Sequence, residues 1–93
     1  MILICYDISN NRTRLQLSKL LTHHGQRIQF SIFQIDLHNS TNQLIKATII
    51  NKFRPKLKKN DSILIINIGD KNKEITRLGK INVMENDFLS LVF

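Results

Sequence analysis

Asp7 is the residue of this chain whose type and position best suit chemistry. It ends the apolar, β-branched run Met1–Asp7, and Arg12 and Arg14 follow where a helix should begin. Cations in a first helical turn oppose the helix dipole at a cost of roughly 0.3–1 kcal/mol. A bound phosphate would explain them, although both side chains could instead point at solvent. For Asp7 itself, the plainer interpretation is a carboxylate that caps a turn.

A single carboxylate is a poor site for Mg²⁺, which usually binds one or two carboxylates together with waters and phosphate oxygens. If Asp7 lay near a twofold axis, the same residue of a second copy would supply the second carboxylate. We therefore predict Asp7 as a metal ligand and catalytic residue, with Mg²⁺ or Mn²⁺ polarising a phosphodiester and activating water. Ser9, Arg12 and Arg14 would then support the site or bind flanking phosphates.

The chain is strongly basic, with 14 Lys and Arg residues against 7 acids and a net charge of +7. Residues 1–60 hold ten of these cations and only two acids, Asp7 and Asp36. The densest group, which we call the basic cluster, is Lys52, Arg54, Lys56, Lys58 and Lys59. A field of one sign favours polyanions, and contacts to phosphates carry no base information. The cluster therefore predicts a surface for a nucleic-acid backbone, the alternative being a merely solvated surface.

The first half of the chain reads as a strand, a helix and two more strands. Apolar spacing predicts a helix over residues 10–24, with Ser9 as its N-cap and Gly25 ending it in a left-handed conformation. Gln26–Leu37 alternates but changes phase near Ser31–Phe33, which predicts two strands or one sharply bent strand.

The second half reads as a helix followed by strands. A capping box, Ser40 to Gln43, predicts a second helix that ends near Arg54, and strands are expected over 63–68 and 74–78. The last five residues are also strand-like. The whole is an α+β, ferredoxin-like βαββαβ sandwich, one domain over 1–93, with one or two extra C-terminal strands.

Both faces of the first strand are apolar, with Leu3 and Cys5 on one side and Ile2, Ile4 and Tyr6 on the other. Two helices cover only one face of such a sheet, and monomers avoid large exposed apolar patches. We therefore predict a homodimer packed sheet to sheet, in which the segment of about 74–93 extends the partner's sheet.

The remaining signals concern packing and location. Phe30 and Phe33 are expected in the core, Phe33 at the dimer contact, and Cys5 as a small buried hydrophobe. A single cysteine excludes an internal disulfide, and no apolar run approaches the ~20 residues of a membrane span. No membrane partner is expected. The chain opens without a basic leader, which predicts a cytoplasmic protein.

Several of these residues together resemble the CRISPR-associated Cas2 family. The resemblance rests on Tyr6-Asp7-Ile8-Ser9, on Arg14, and on the stretch from Gly25 to Phe33 that contains Arg27, Gln29 and Ser31. Leu78-Gly79 and the ending Leu91-Val92-Phe93 are also similar. Two positions depart from the family pattern: Gln34 stands where members often have Glu, and Ser9-Asn10-Asn11 lacks an acid that some members carry.

The resemblance implies a ferredoxin-like homodimer whose metal-binding aspartate is Asp7, with Arg14, Arg27, Ser31 and Phe33 at the site or supporting it. It also implies a subunit for spacer acquisition that holds double-stranded prespacer DNA and bridges two dimers of the Cas1 integrase. Members are often described as Mg²⁺-dependent endonucleases acting on single-stranded RNA or double-stranded DNA.

Two other functions share this order of elements. A toxin-like ribonuclease of a toxin–antitoxin pair has a similar fold, and neighbouring genes would distinguish it. An RNA-binding module of the RRM type needs exposed aromatics on its central strands. Exposure of Tyr6 and Phe33 would favour that alternative.

Overall fold

The computed structural model describes residues 1–69 and 72–80. Its elements are β1 (Ile2–Asp7), α1 (Asn11–His24), β2 (Gln26–Gln29), β3 (Ile32–Ile35), α2 (Asn39–Phe53), a 3-10 turn (Arg54–Lys56), β4 (Ser62–Ile68) and β5 (Lys73–Gly79). The strands form one antiparallel sheet in the order β2-β3-β1-β4-β5. The predicted α+β, ferredoxin-like fold is confirmed, and β5 is the first of the extra strands.

The C-terminal segment is described only in its first part. Residues 74–79 belong to β5, which pairs with β4 of its own chain from Ser62↔Gly79 to Ile68↔Lys73. They therefore extend the sheet of their own chain. The predicted strand in the last five residues lies outside the described residues, as does the rest of the 74–93 segment beyond residue 80.

β1 is the central strand of the sheet and sets the position of Asp7. Ile4 pairs with Phe33 of β3 on one side and with Ile65 of β4 on the other. The backbone N–H of Tyr6 donates to the carbonyl of Ser31 at 3.1 Å, which continues the β1–β3 ladder by one residue. Asp7 follows at the end of β1, where it pairs with Ser62.

The helices cover one face of the sheet and form the main core with it. Leu17 and Leu21 of α1 and Ile49 and Phe53 of α2 are fully buried against side chains of the first, third and fourth strands. Each such side chain contributes roughly 1.5–3 kcal/mol on burial. This packing fixes the direction in which every side chain of β1 points. Ile2, Ile4 and Tyr6 face the helices, so Leu3, Cys5 and Asp7 face away.

The face away from the helices carries a second cluster, made of Leu3, Cys5, Leu64 and Ile66. These four side chains are at most 6% exposed in a single chain. The dimer was predicted from an exposed apolar face, and for these side chains the expected exposure is wrong. The dimer itself stays a prediction.

Both helices begin one or two residues away from the predicted positions. Asn10, not Ser9, caps α1, because its Oδ1 accepts the N–H of Thr13 at 2.9 Å. α2 begins at Asn39 after His38, not at the Ser40 capping box, and His38 Nδ1 accepts the N–H of Ser40 at 3.3 Å. Asparagine caps at least as well as serine, so propensity alone could not separate Asn10 from its neighbour.

The two strands predicted between the helices are confirmed as β2 and β3. The chain turns at Phe30 and Ser31, and the register shifts earlier, between Arg27 and Gln29. Gly25 ends α1 as predicted, but in an extended conformation with φ −156° and not a left-handed one. Glycine is required at this position because of close packing: a Cβ there would lie 2.2 Å from the carbonyl oxygen of Gln34.

The buried aromatic residues differ in part from the prediction. Cys5 and Phe33 are buried as expected, but Phe30 is 83% exposed, so its assignment to the core is wrong. Phe30 lies in the turn after the edge strand β2, where no element covers it among the described residues. Phe33 belongs to the helix-side core, so it does not lie on the sheet face from which the dimer was predicted. Neither described helix is long and apolar enough to cross a bilayer.

Candidate functional site

Asp7 ends the central strand with its side chain exposed on the face away from the helices. Within residues 1–69 and 72–80, no side chain or backbone group forms a hydrogen bond or ion pair with its carboxylate. In the same ranges no three His, Cys, Asp or Glu side chains cluster closely enough to hold a metal ion. The carboxylate of Asp7 therefore presents two oxygen atoms that no described residue binds.

Cys5 lies two residues before Asp7 on the same face. Burial, with a smaller contribution from the Asp7 charge, raises the pKa of the Cys5 thiol from 9.0 to about 11. The thiol is therefore protonated at neutral pH. Since the thiolate is the reactive form, Cys5 is a packing residue and not a nucleophile.

Arg14 holds the loop between β1 and α1. Its Nη1 donates to the carbonyl of Ile8 at 3.0 Å, and its Nη2 donates to Oδ1 of Asn11. These bonds account for a cation in the first turn of α1, because they tie the helix start to the strand end. Arg12, two residues earlier, is exposed.

Arg27 connects β2 to both α1 and the following turn. Its Nη2 donates to Oγ of Ser18 at 2.7 Å, and its Nη1 donates to the carbonyl of Phe30. The guanidinium carbon lies 4.7 Å from the centre of the Phe33 ring, within the range of a cation–π contact. Phe33 thus supports Arg27 from beneath.

The structure does not unite the predicted constellation around Asp7. Arg14 and Arg27 lie on the helix side of the sheet, where both line a cavity with Tyr6, whereas Asp7 faces the other side. Ser31 contributes its backbone carbonyl, which pairs with Tyr6, and Ser9 binds Asp61 through its N–H and its side chain. The predicted metal ligand, Asp7, and the guanidinium pair are therefore two separate features.

Asp61 is the acid that sequence reasoning missed. Its side chain accepts the N–H of Ser9 at 2.9 Å and the N–H of Lys58 at 2.8 Å, and only 2% of the residue is exposed. Burial alone raises the pKa of Asp61, but these hydrogen bonds and the Lys58 charge outweigh it and lower the pKa below 3.8. Asp61 joins the loop after β1 to the loop before β4, so it fixes the sheet end that carries Asp7.

We predict that Asp61→Asn lowers the free energy of unfolding at neutral pH by about 2 kcal/mol, because an amide cannot accept both N–H groups as a carboxylate does. The folded-state pKa is depressed, so this stabilisation is present at neutral pH and is lost as the pH falls below about 4. Urea unfolding between pH 7 and pH 3 should show a shallower acid decline for the variant than for the parent.

Asp36→Asn is the matched control, since Asp36 is exposed and lies 3.9 Å from the N-terminal amine. Exposed ion pairs contribute little, so its unfolding free energy should stay within about 1 kcal/mol of the parent. Equal acid slopes for the Asp61 variant and the parent would contradict the role assigned to Asp61.

The basic cluster lies at the end of α2, in the 3-10 turn and in the loop that follows. Lys52, Arg54, Lys58 and Lys59 are exposed, while Lys56 is partly buried and donates through Nζ to Oε1 of Gln16 at 2.8 Å. The cluster therefore consists of four exposed cations and of Lys56, which links the 3-10 turn to α1. Neither helix nor the 3-10 turn contains an acid.

The RRM alternative required Tyr6 and Phe33 to be exposed on the sheet, and the structure contradicts that requirement. Tyr6 is 3% exposed and Phe33 is fully buried, and their rings stack with centroids 6.2 Å apart on the helix side. They do not form an exposed stacking surface on the open face of the sheet. The toxin-like ribonuclease stays a hypothesis that neighbouring genes would test.

Comparison with known proteins supports the resemblance noted in the sequence. A model of the family described as CRISPR associated protein Cas2 matches residues 1–75. The chain is 51% identical over 35 residues to CRISPR-associated endoribonuclease Cas2 1 of Chloroflexus aurantiacus, which is 38% of each chain. It is 47% identical over 32 residues to CRISPR-associated endoribonuclease Cas2 4 of Rhodospirillum rubrum, 34% of this chain and 26% of that protein. The aligned stretches thus span well under half the length of these relatives.

Proposed function

The chain belongs to the Cas2 family, and from that membership we propose that it is a CRISPR adaptation subunit acting in the cytoplasm. In this proposal it binds duplex prespacer DNA and bridges dimers of the Cas1 integrase. The relatives named above are described as endoribonucleases. We propose in addition a metal-dependent phosphodiesterase activity on RNA or DNA.

The observation that carries the proposal is a helix layer of one charge sign. α1, α2 and the 3-10 turn contain seven lysines and arginines and no acid. Opposite charges are usually interspersed on a helix surface, where they stabilise it by about 0.2–0.5 kcal/mol per pair. Lys46 pairs with Glu74 of β5, so six of the seven cations have no acid partner among the described residues. An excess of positive charge of this kind attracts a phosphate backbone, whose counterions are released on binding.

A homodimer would complete the site around Asp7. The carboxylate is exposed on the face away from the helices, and within the part of the chain that the structure describes no three His, Cys, Asp or Glu side chains cluster closely enough to hold a metal ion. A twofold mate would supply the second carboxylate. We therefore keep the sheet-to-sheet dimer as a proposal that rests on Asp7 and the family, and no longer on an exposed apolar face.

The residues present fit Mg²⁺ or Mn²⁺ in one respect: Asp7 offers hard carboxylate oxygens with no competing protein partner among the described residues. Mg²⁺ is commonly held by one or two carboxylates and substrate phosphates, with waters completing its shell. When bound, the metal would polarise the phosphodiester and lower the pKa of a coordinated water. Asp7 would hold the ion, and the protonated Cys5 behind it would keep the base of the site apolar.

The bridging role can be tested by mixing the protein with duplex DNA and the Cas1 integrase from the same gene neighbourhood. Size-exclusion chromatography with light scattering should give one complex that contains all three, and the free protein should have twice the 10.9 kDa chain mass. A protein that elutes apart from both the integrase and the duplex at low salt would contradict the proposal.

A further inference from the structure

A cavity of about 360 Å³ lies between α1 and the β2–β3 turn, on the helix side of the sheet. It is lined by Tyr6, Arg14, Leu15, Ser18, Arg27 and Phe30. Two guanidinium groups and several apolar side chains therefore share one cavity. The predicted metal ligand, Asp7, is not among its lining residues.

Two apolar side chains on this cavity are unusually exposed. Phe30 is 83% exposed and Leu15 is 59% exposed. Single exposed apolar residues are common on protein surfaces and need no explanation. Here, however, a phenyl ring and a leucine border the same cavity as two arginines, and that combination offers both an apolar flat surface and positive charge.

The turn that carries Phe30 is held in place. Arg27 donates to the carbonyl of Phe30 and, at 2.7 Å, to Ser18 of α1, so one side chain ties the turn to the helix. Its guanidinium in turn rests over the buried Phe33 ring. The exposed ring of Phe30 is thus mounted on a fixed backbone, which lowers the ordering cost of binding a ligand against it.

Both arginines keep donors for a ligand. A guanidinium carries five N–H groups, and the bonds formed with described residues use one on each Nη of Arg14 and of Arg27. The remaining N–H groups are suited to phosphate oxygens, which accept charge-assisted hydrogen bonds.

We propose that this cavity binds an unpaired nucleobase, stacked on Phe30 and bordered by Leu15, with the adjoining phosphate held by Arg14 and Arg27. A phosphate alone would not need the exposed ring, and the bases inside a duplex have no free faces to stack. Aromatic side chains next to cations are the usual platform for single-stranded nucleic acid. The proposal rests on the proposed nucleic-acid function and assigns to it a separate site for an unpaired base.

Phe30→Ala tests the proposal, with labelled oligothymidine and a duplex of equal length as probes at one salt concentration. Loss of one stacked base should weaken binding of oligothymidine roughly tenfold, and duplex binding should change far less. Leu44→Ala is the matched control, because Leu44 is 66% exposed on α2 and does not line the cavity. Its affinity for both probes should stay within a factor of about two, as exposed substitutions usually do.

A second variant gives a direct signal. The chain contains no tryptophan, so Phe30→Trp introduces a single tryptophan fluorophore at the proposed stacking position. Oligothymidine should quench its fluorescence and bind with an affinity close to that of the parent. Inorganic phosphate at saturating concentration should leave the fluorescence nearly unchanged.

Three outcomes would overturn the proposal. In the first, Phe30→Ala weakens duplex and oligothymidine equally. In the second, the fluorescence of the Phe30→Trp variant does not respond to bound oligothymidine. In the third, Phe30→Ala changes only the mass of the protein in light scattering, which would make the patch a contact between two copies of this chain. If the parent binds the duplex normally in these cases, only the base site fails. If the parent binds neither probe, the proposed function fails with it.

Discussion

Asp7→Asn is expected to reduce Mg²⁺-dependent cleavage of RNA or DNA by at least about a hundredfold, while duplex binding and the oligomeric state remain unchanged. Losing a single group that stabilises the charge of a transition state commonly costs about 10²–10³ in rate. The substitution keeps the size of the side chain but removes the negative charge that would hold the metal. Because Asp7 is exposed and forms no hydrogen bond with the described residues, the fold should stay intact. The measurement is cleavage of a labelled oligonucleotide with and without Mg²⁺.

Asp36→Asn serves as the control here as well, since it removes an exposed carboxylate at the end of β3 and leaves Asp7 untouched. Its cleavage rate should match that of the parent. If Asp7→Asn cleaves as fast as the parent in the same preparation, the activity does not belong to Asp7.

The fold could be predicted because its signals are local. The stripe of Leu17 and Leu21 follows the helical period, and the short apolar, β-branched runs of β1 and β4 are typical of buried strands; each formed the expected element. The predicted positions of the helix ends were less accurate. Ser9, Asn10 and Ser40 are all good capping residues, and only the path of the chain into each helix decides which one accepts the N–H group.

The site was harder to predict, because its geometry depends on which face of the sheet each residue occupies. Strand parity placed Asp7 on the face of Leu3 and Cys5, which the structure bears out. It could not show that Arg14 and Arg27 turn to the helix side, because both extend from elements outside β1. Asp61 was missed for the same reason: its partner Ser9 is 52 residues away in the sequence. The signal that could have found Asp61 was a lone acid before an apolar strand.

The two faces of the sheet separate two kinds of chemistry. The face away from the helices presents a carboxylate that could hold a metal, and the helix side presents cations, a guanidinium pair and an exposed ring. Binding and cleavage should therefore respond to different substitutions. Variants of Asp7 should alter rates without altering affinity, whereas variants of the helix layer should alter affinity.

Neutralising three exposed cations of the basic cluster, Lys52, Arg54 and Lys59, to glutamine should strongly weaken duplex binding. Each lost phosphate contact reduces the slope of log K against log[salt] by about 0.9. If all three contact phosphates, the slope falls by about 2.7 and the affinity at 0.1 M salt falls by up to about 500-fold. Lys56 and Lys58 are left in place, because Lys56 binds Gln16 and Lys58 interacts with Asp61. The measurement is fluorescence anisotropy of a labelled duplex at several salt concentrations.

The matched control replaces Lys73, Arg77 and Lys80 by glutamine, which removes the same three charges from β5 and the residue after it. Both triple variants carry a net charge lower by three, so a field that depends only on total charge would weaken binding equally in both. A role for the basic cluster instead requires the Lys52, Arg54 and Lys59 variant to lose more of the salt dependence than the control does. Residues 61–93 carry as many as five acids against four cations, so the β5 variant should keep a slope close to that of the parent. Equal losses in the two variants would show that the position of the basic cluster does not matter.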